Sequence, residues 1–168
     1  MNDIYKSPEA ELNQFKSTGD LDAFVRFSAW GVLGLSIATF GVYVMYWLYT
    51  RTQTVNELLD EGVSRHLIYA TLLLYIPYLA TSLLPDAYYE NTAIAIGVTV
   101  INIVYLILYL VWLYTFRSRV LTVAAANGRR DFRLSPILVF FLQSLYLQYK
   151  INEYIDGKQA RNEEIDAH

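Results

Sequence analysis

Long blocks of uncharged, apolar sequence dominate this chain. Two of them, Phe27–Thr50 and Asn91–Phe116, run for 24 and 26 residues without Asp, Glu, Lys, Arg or His. An α-helix rises about 1.5 Å per residue, so about 20 apolar residues cross the ~30 Å hydrocarbon core of a bilayer. Each block is long enough to cross a membrane, and the pattern predicts an integral membrane protein.

Two shorter apolar blocks complete the pattern. Leu67–Leu84 contains Pro77, which predicts a kink. Leu134–Tyr149 has 16 residues and carries Gln143 and Gln148, so its length lies between that of a span and that of a re-entrant segment. We therefore predict an all-α membrane protein with four membrane-embedded helical segments. The second and third span the membrane, whereas the first and fourth either span it or re-enter.

Polar sequence flanks these blocks and defines three regions. Residues 1–26 are predicted to be a polar N-terminal segment with a short surface helix that starts at Ser7-Pro8-Glu9. We expect no cleavable signal peptide there, because no basic region precedes a short apolar run. Residues 27–149 form the helical membrane domain, and residues 150–168 form a polar C-terminal tail that is partly disordered.

Charge predicts how the blocks are oriented. The loop 117–133 holds five arginines, whereas the loop 85–90 holds no Lys or Arg. Positive charge is retained on the cytoplasmic side, so we assign loop 117–133 to the cytoplasm and loop 85–90 to the periplasm. The third block is predicted to continue as a helix to Ala126, where Asn127-Gly128 turns the chain.

The side of the termini depends on the first and fourth blocks. If all four blocks span, both termini lie outside. If the first and fourth re-enter, all 13 Lys and Arg residues lie in the cytoplasm, and the charge bias favours this arrangement. A weak internal similarity at a spacing of 100 residues also favours re-entry of the first and fourth blocks. Coincidence explains this similarity equally well in a chain with 15 tyrosines. In this similarity Phe40, Tyr46 and Tyr49 correspond to Phe140, Tyr146 and Tyr149.

Part of the chain resembles a known sequence pattern. The stretch Ser36-Ile-Ala-Thr-Phe-Gly-Val-Tyr43, followed by Tyr46-Trp47 and Asn56-Glu57-Leu58, is similar to an uncharacterised family of small bacterial membrane domains. The ending Tyr149-Lys-Ile-Asn-Glu153 resembles the last segment of that family. The resemblance implies a multi-pass protein of the bacterial inner membrane. It implies no mechanism, because the family has no established activity.

Residues that would carry catalysis or ion-coupled transport are scarce. The chain contains no Cys and only two His, and the apolar blocks lack the buried carboxylate or base that coupled transporters use. It also lacks a glycine-rich phosphate loop and the sequence motifs of hydrolases. We therefore expect no enzyme activity, catalytic residue, metal or cofactor, and no binding of nucleic acid.

Three sets of residues are candidates for interactions. Small residues at helical spacing suggest close helix packing, either with a partner or, more commonly, within the chain. They are Gly31, Gly34, Ala38, Gly41, Ala93 and Gly97. The arginines of loop 117–133 suggest contact with anionic lipid headgroups, although topological anchoring alone explains them. They are Arg117, Arg119, Arg129, Arg130 and Arg133.

The third set is an intramembrane polar-aromatic stripe that steps by three and four along the third block. It consists of Asn102, Tyr105, Tyr109 and Trp112. Such a stripe can line a site for an apolar ligand, but interhelical hydrogen bonding and packing are the commoner role of such residues.

The sequence leaves two hypotheses about function. The first is a non-enzymatic structural or accessory component that acts through helix–helix interaction. Its partners are the lipid bilayer and a homo-oligomer or larger membrane complex. The alternative is a small channel or carrier for an apolar or weakly polar solute, with the stripe as its lining. A lipid-directed enzyme that uses Asp86 and Glu90 has the least support.

Overall fold

The structure, a computed structural model, describes residues 19–166, apart from the side chains at positions 162 and 164–166. Within this range the regular structure is helical, which confirms the all-α prediction. The α-helices are α1 (Ala29–Ala38), α2 (Val42–Leu58), α3 (Arg65–Thr81), α4 (Thr92–Ala126) and α5 (Pro136–Asp166). Short 3-10 helices occupy Leu21–Ala23 and Asp86–Glu90. The surface helix predicted to start at Ser7 lies outside the described residues.

The first apolar block is broken into two helices. Between α1 and α2, Phe40 and Gly41 adopt positive φ angles of 50° and 88°. Glycine enters this left-handed region without steric cost because it has no Cβ. The hydroxyl of Thr39 accepts a hydrogen bond from the amide of Tyr43 at 2.9 Å, which satisfies one of the free amides where α2 begins.

This break turns the block back on itself. The Arg51 guanidinium donates a hydrogen bond to the carbonyl of Val25 at 2.7 Å. In a straight helix these residues would stand about 39 Å apart. The α1–α2 region is therefore a helical hairpin. Helix α1 has 10 residues, and α2 has nine uncharged residues before Arg51, so neither uncharged arm is long enough to span a membrane.

The fourth block is broken as well. Within α5, Gln143 has a φ of 39° and a ψ of −119°, which separates a short first arm (136–142) from a long second arm (144–166). The amide of Ser135 donates to the hydroxyl of Tyr146 at 3.1 Å. A straight helix would separate these residues by about 16 Å along its axis, so the chain also turns back here.

One helix in the described part of the chain, α4, is long and apolar enough to cross a membrane. It has 35 residues, and its most apolar window reaches a mean hydropathy of 2.5. Helix α3, predicted to be a second span, has 17 residues and contains Pro77. As predicted, α4 continues to Ala126, so the first part of loop 117–133 is helical.

The described chain forms two compact units. Residues 19–62 and 116–166 make up the hairpin unit, and Val63–Thr115 make up the α3–α4 unit. In the α3–α4 unit the two helices run antiparallel, because Thr81 contacts Asn102 while Tyr78 stacks on Tyr105. The 3-10 helix Asp86–Glu90 connects them.

The hairpin unit is organised around the long arm of α5, which packs against α1 and α2. Its contact face buries Leu147, Ile151 and Tyr154. On α2, Trp47 meets Phe116 edge-to-face, with ring centroids 6.0 Å apart. The sequence predicts a polar tail from residue 150, and in the structure α5 continues through that region to Asp166.

Segments far apart in sequence meet at one end of the hairpin unit. The side-chain amide of Asn127 donates to the carbonyl of Gly19 at 3.3 Å. The Arg129 guanidinium lies 5.0 Å from the centre of the Tyr154 ring. The start of the described chain, the arginine loop and the long arm of α5 are therefore neighbours.

Candidate functional site

A buried amide lies at the centre of the hairpin unit. Gln148 has no solvent exposure, and its Oε1 accepts hydrogen bonds from Trp47 Nε1 at 2.8 Å and from Arg51 Nη2 at 3.1 Å. Its Nε2 donates to Asn152 Oδ1 at 2.9 Å, and Asn152 Nδ2 donates to the carbonyl of Phe27 at 2.7 Å. This Gln148 network connects α2, and the Phe27 backbone just before α1, to α5.

Arg51 places a positive charge inside this network. Its side chain is 8% exposed, its Nε is buried without a hydrogen-bond partner, and the Phe24 ring lies 6.0 Å away. Among the described side chains, no carboxylate forms an ion pair with it. A buried charge is costly unless it is well hydrogen-bonded, so Arg51 depends on Gln148 and the Val25 carbonyl. Sequence analysis missed this role, because Arg51 follows an apolar block and resembles an ordinary flanking charge.

A second polar cluster holds the start of the described chain against α5. Asp20 accepts hydrogen bonds from the Tyr154 hydroxyl at 2.6 Å and from Lys158 Nζ at 2.9 Å, and Lys158 also pairs with Asp22 at 2.6 Å. Burial opposes ionisation of Asp20, but the hydrogen bonds from Tyr154, Lys158 and the Leu21 amide outweigh it and lower its pKa.

The pKa values of the two partners of Asp20 are shifted upward. Burial and the hydrogen bond to Asp20 raise the pKa of Tyr154, and the hydrogen bonds to Asp22 and Asp20 raise the pKa of Lys158. At neutral pH the cluster therefore holds a carboxylate, a neutral phenol and an ammonium group. This arrangement fixes the chain but does not favour proton transfer.

Four of the six small packing candidates lie on exposed helix faces. Gly34 and Ala38 are exposed on α1, and Ala93 and Gly97 are exposed on α4. A Cβ added at Gly34 or Gly97 would meet no atom within 4 Å. Packing within the described chain therefore does not account for these two glycines, and contact with a partner stays a prediction.

The other two small residues have local roles. Gly41 supplies the left-handed backbone at the hairpin break. Gly31 lies under the Phe27 ring, where an added Cβ would stand 2.9 Å from a ring carbon. These contacts account for both glycines without a partner.

The polar-aromatic stripe of α4 belongs to the packing of the α3–α4 unit. Asn102 Oδ1 accepts a hydrogen bond from the Thr81 hydroxyl at 3.2 Å. The ring of Tyr105 stacks on Tyr78 at 4.2 Å and on Tyr109 at 6.0 Å, and Tyr109 is buried. Trp112, the last residue of the stripe, is fully buried. At Asn102 and Tyr105 this geometry is that of an interhelical contact.

The structure separates the five arginines of loop 117–133. Arg129 pairs with Asp131 at 3.2 Å and covers the Tyr154 ring, Arg119 is half-buried, and Arg130 is exposed. Arg117 and Arg133 instead line the same surface cavity of about 470 Å³. Among the described residues, no group of three or more His, Asp or Glu side chains is arranged to hold a metal ion.

These observations define an all-helical protein with a buried polar core and one helix suited to crossing a membrane. A family model described as a domain of unknown function (DUF4234) matches residues 27–157. The match covers most of the chain, so the chain belongs to this family, as the sequence resemblance to an uncharacterised family predicts. No curated protein and no solved structure matches the chain.

Proposed function

We propose that this protein is a multi-pass inner-membrane protein in which α3 and α4 both cross the bilayer. The apolar length of α4 supports its role as a span. Helix α3 runs antiparallel to it, with Thr81 beside Asn102 and Tyr78 beside Tyr105, so it follows α4 through much of the same membrane thickness. The loop 85–90 between them lies in the periplasm in this arrangement, and the arginine loop lies in the cytoplasm.

In this proposal the two broken blocks enter the membrane from the cytoplasmic side and return to it. Two contacts support this arrangement. Gly19, at the start of the described chain, contacts Asn127, and Tyr154, on the long arm of α5, contacts Arg129. The outer ends of both broken blocks therefore lie beside the arginine loop. Between Gly41 and Arg51 the hairpin is about 15 Å deep at ~1.5 Å per residue. That depth corresponds to about half of a ~30 Å hydrocarbon core.

Within this topology the protein acts as a non-enzymatic structural or accessory component through helix–helix contact. One observation carries this proposal: Gly34 and Gly97 lie on exposed helix faces with open space beside them. Small residues let membrane helices approach closely, and their close packing stabilises association in lipid. The alternative, a small channel or carrier, has less support, because Asn102 is hydrogen-bonded to Thr81.

Replacing Gly34 with leucine is expected to abolish association with a homo-oligomer or larger complex while leaving the fold intact. The leucine side chain fits into open space in the chain itself, but it keeps another helix from approaching closely. The measurement is the assembly size of the protein purified in mild detergent, with identification of the proteins that co-purify.

Ala80→Leu is the matched control, because Ala80 is exposed on α3 and lies outside the rows of small residues. It adds comparable bulk and is expected to leave assembly unchanged. Two outcomes would contradict helix–helix contact at Gly34. One is a wild-type protein that is monomeric and co-purifies with no other protein, and the other is an equal loss of assembly in both variants.

A further inference from the structure

The surface cavity of about 470 Å³ in the hairpin unit is lined by both charged and apolar side chains. Its polar lining comes from Arg117, Arg133, Ser135 and Tyr146. Its apolar lining comes from Leu121, Phe132, Leu134 and Pro136. A cavity lined by both cationic and apolar side chains suits an amphiphile with an anionic head.

The positive charge of this cavity is not neutralised by the described side chains. Arg117 donates from Nε at 3.0 Å and from Nη2 at 2.5 Å to one carbonyl, that of Leu134, which fixes the guanidinium but carries no charge. Neither Arg117 nor Arg133 forms an ion pair with a described carboxylate, whereas Arg129 pairs with Asp131. A guanidinium has five N–H donors, so Arg117 retains three for a ligand.

Hydroxyl groups add further donors. The Tyr146 oxygen accepts a hydrogen bond from the Ser135 amide, so its own proton remains available to a ligand. The Ser135 hydroxyl oxygen accepts from the Leu138 amide at 3.5 Å and likewise retains its proton. Two guanidinium groups and two hydroxyls form a donor set that matches the oxygens of a phosphate.

The cavity also lies at a suitable place along the sequence. Arg117 is the first charged residue after the 26 uncharged residues Asn91–Phe116, so it marks the boundary between apolar and polar sequence on α4. Beyond Pro136, the first arm of α5 exposes Ile137 and Phe141. These exposed apolar side chains follow the cavity-lining Pro136 along the chain and offer a surface to acyl chains.

We propose that this cavity binds the phosphate headgroup of an anionic phospholipid, with Arg117 and Arg133 holding the phosphate oxygens. The site is specific to these two arginines and does not extend to Arg119, Arg129 or Arg130. It goes beyond the helix-contact function and does not depend on it.

Native mass spectrometry of the full chain released from detergent tests the site, with phosphatidylglycerol and phosphatidylcholine titrated separately. We expect the first phosphatidylglycerol to bind more tightly than phosphatidylcholine. Arg133→Gln should weaken phosphatidylglycerol binding about fivefold, because one interfacial basic residue contributes about 1 kcal/mol. Arg130→Gln removes the same charge from an exposed position outside the cavity and should leave the first binding event unchanged.

Two further arms distinguish a lipid site from diffuse charge attraction and from a site for free phosphate. Arg133→Lys keeps the positive charge and should retain most of the binding, which shows that a substitution at this position is compatible with the site. Inorganic phosphate should neither bind with the same dependence on Arg133 nor displace the lipid. Equal weakening by Arg130→Gln and Arg133→Gln would overturn the site in favour of diffuse attraction. Binding of inorganic phosphate that requires Arg133 would overturn the lipid assignment.

Discussion

Replacing Gln148 with leucine will lower the free energy of unfolding by roughly 3–5 kcal/mol, because an unpaired buried donor costs about 1–3 kcal/mol and a lost hydrogen bond to a charged group costs about 1.5–3 kcal/mol. Gln148 is fully buried and accepts hydrogen bonds from both Trp47 and Arg51. Leucine fills a similar volume but accepts no hydrogen bond. It therefore leaves the indole N–H unpaired and removes one of the two acceptors of the buried guanidinium. Titration with a denaturing detergent in mixed micelles measures the change.

Two other variants show whether the hydrogen bonds cause this loss. Gln159→Leu makes the same change at an exposed position of the same helix and should alter stability by less than about 0.5 kcal/mol. Gln148→Glu keeps an acceptor for Arg51 and should retain more stability than Gln148→Leu. If Gln148→Leu proved as stable as the wild type, the Gln148 network would not hold the hairpin unit together.

Replacing Gly41 with valine will destabilise the protein by about 1–3 kcal/mol, the cost of holding a β-branched residue in the left-handed region. Gly41 has a φ of 88° at the point where the first apolar block turns back. Valine also favours continuing the helix through the break, so part of the protein should lose the hairpin. Stability is measured by the same titration.

Gly157→Val is the matched control for this prediction. Gly157 is exposed within the long arm of α5 and has no positive φ, and a Cβ added there would make only an ordinary contact, 3.9 Å from Arg129 Nη1. Valine there should therefore change the free energy of unfolding by only a few tenths of a kcal/mol, since its helix propensity is slightly better than that of glycine. Equal losses from both variants would show that the left-handed turn at Gly41 is not required.

Much of the helical framework follows from local sequence. The uncharged run Asn91–Phe116 predicts α4, and Asn127-Gly128 predicts its end, where Gly128 takes a φ of 77°. Glycines in the first block also permit a bend, and the structure uses Gly41 for it. These features depend on neighbouring residues in the chain, so composition and helix-ending residues predict them. The position of the bend does not follow in this way, because Gly31, Gly34 and Gly41 all permit it.

The hairpin contacts do not follow from local sequence. Gln143 has a positive φ although it is not glycine, a conformation that surrounding structure must impose. Gln148 binds Trp47 and Arg51 from 101 and 97 residues away. In the sequence Gln148 only makes the fourth block less apolar, and nothing local shows that these three residues meet. The cavity lined by Arg117 and Arg133 also depends on a contact between separate segments, since the chain returns to α4 where Arg117 binds the Leu134 carbonyl.

In the proposed topology both broken blocks return to the membrane side from which they enter, and site-directed labelling tests this directly. The chain has no Cys, so single cysteines introduced at exposed positions report one side each. Ala23→Cys and Glu163→Cys probe the two ends, while Arg130→Cys and Asp86→Cys mark the arginine loop and the opposite loop. The reagent is a membrane-impermeant maleimide added to right-side-out vesicles.

We expect the maleimide to label Asp86→Cys and to leave Ala23→Cys, Glu163→Cys and Arg130→Cys unlabelled until the vesicles are opened. Labelling of Ala23→Cys and Glu163→Cys together with Asp86→Cys would mean that the first and fourth blocks span the bilayer, and it would contradict the re-entrant hairpins.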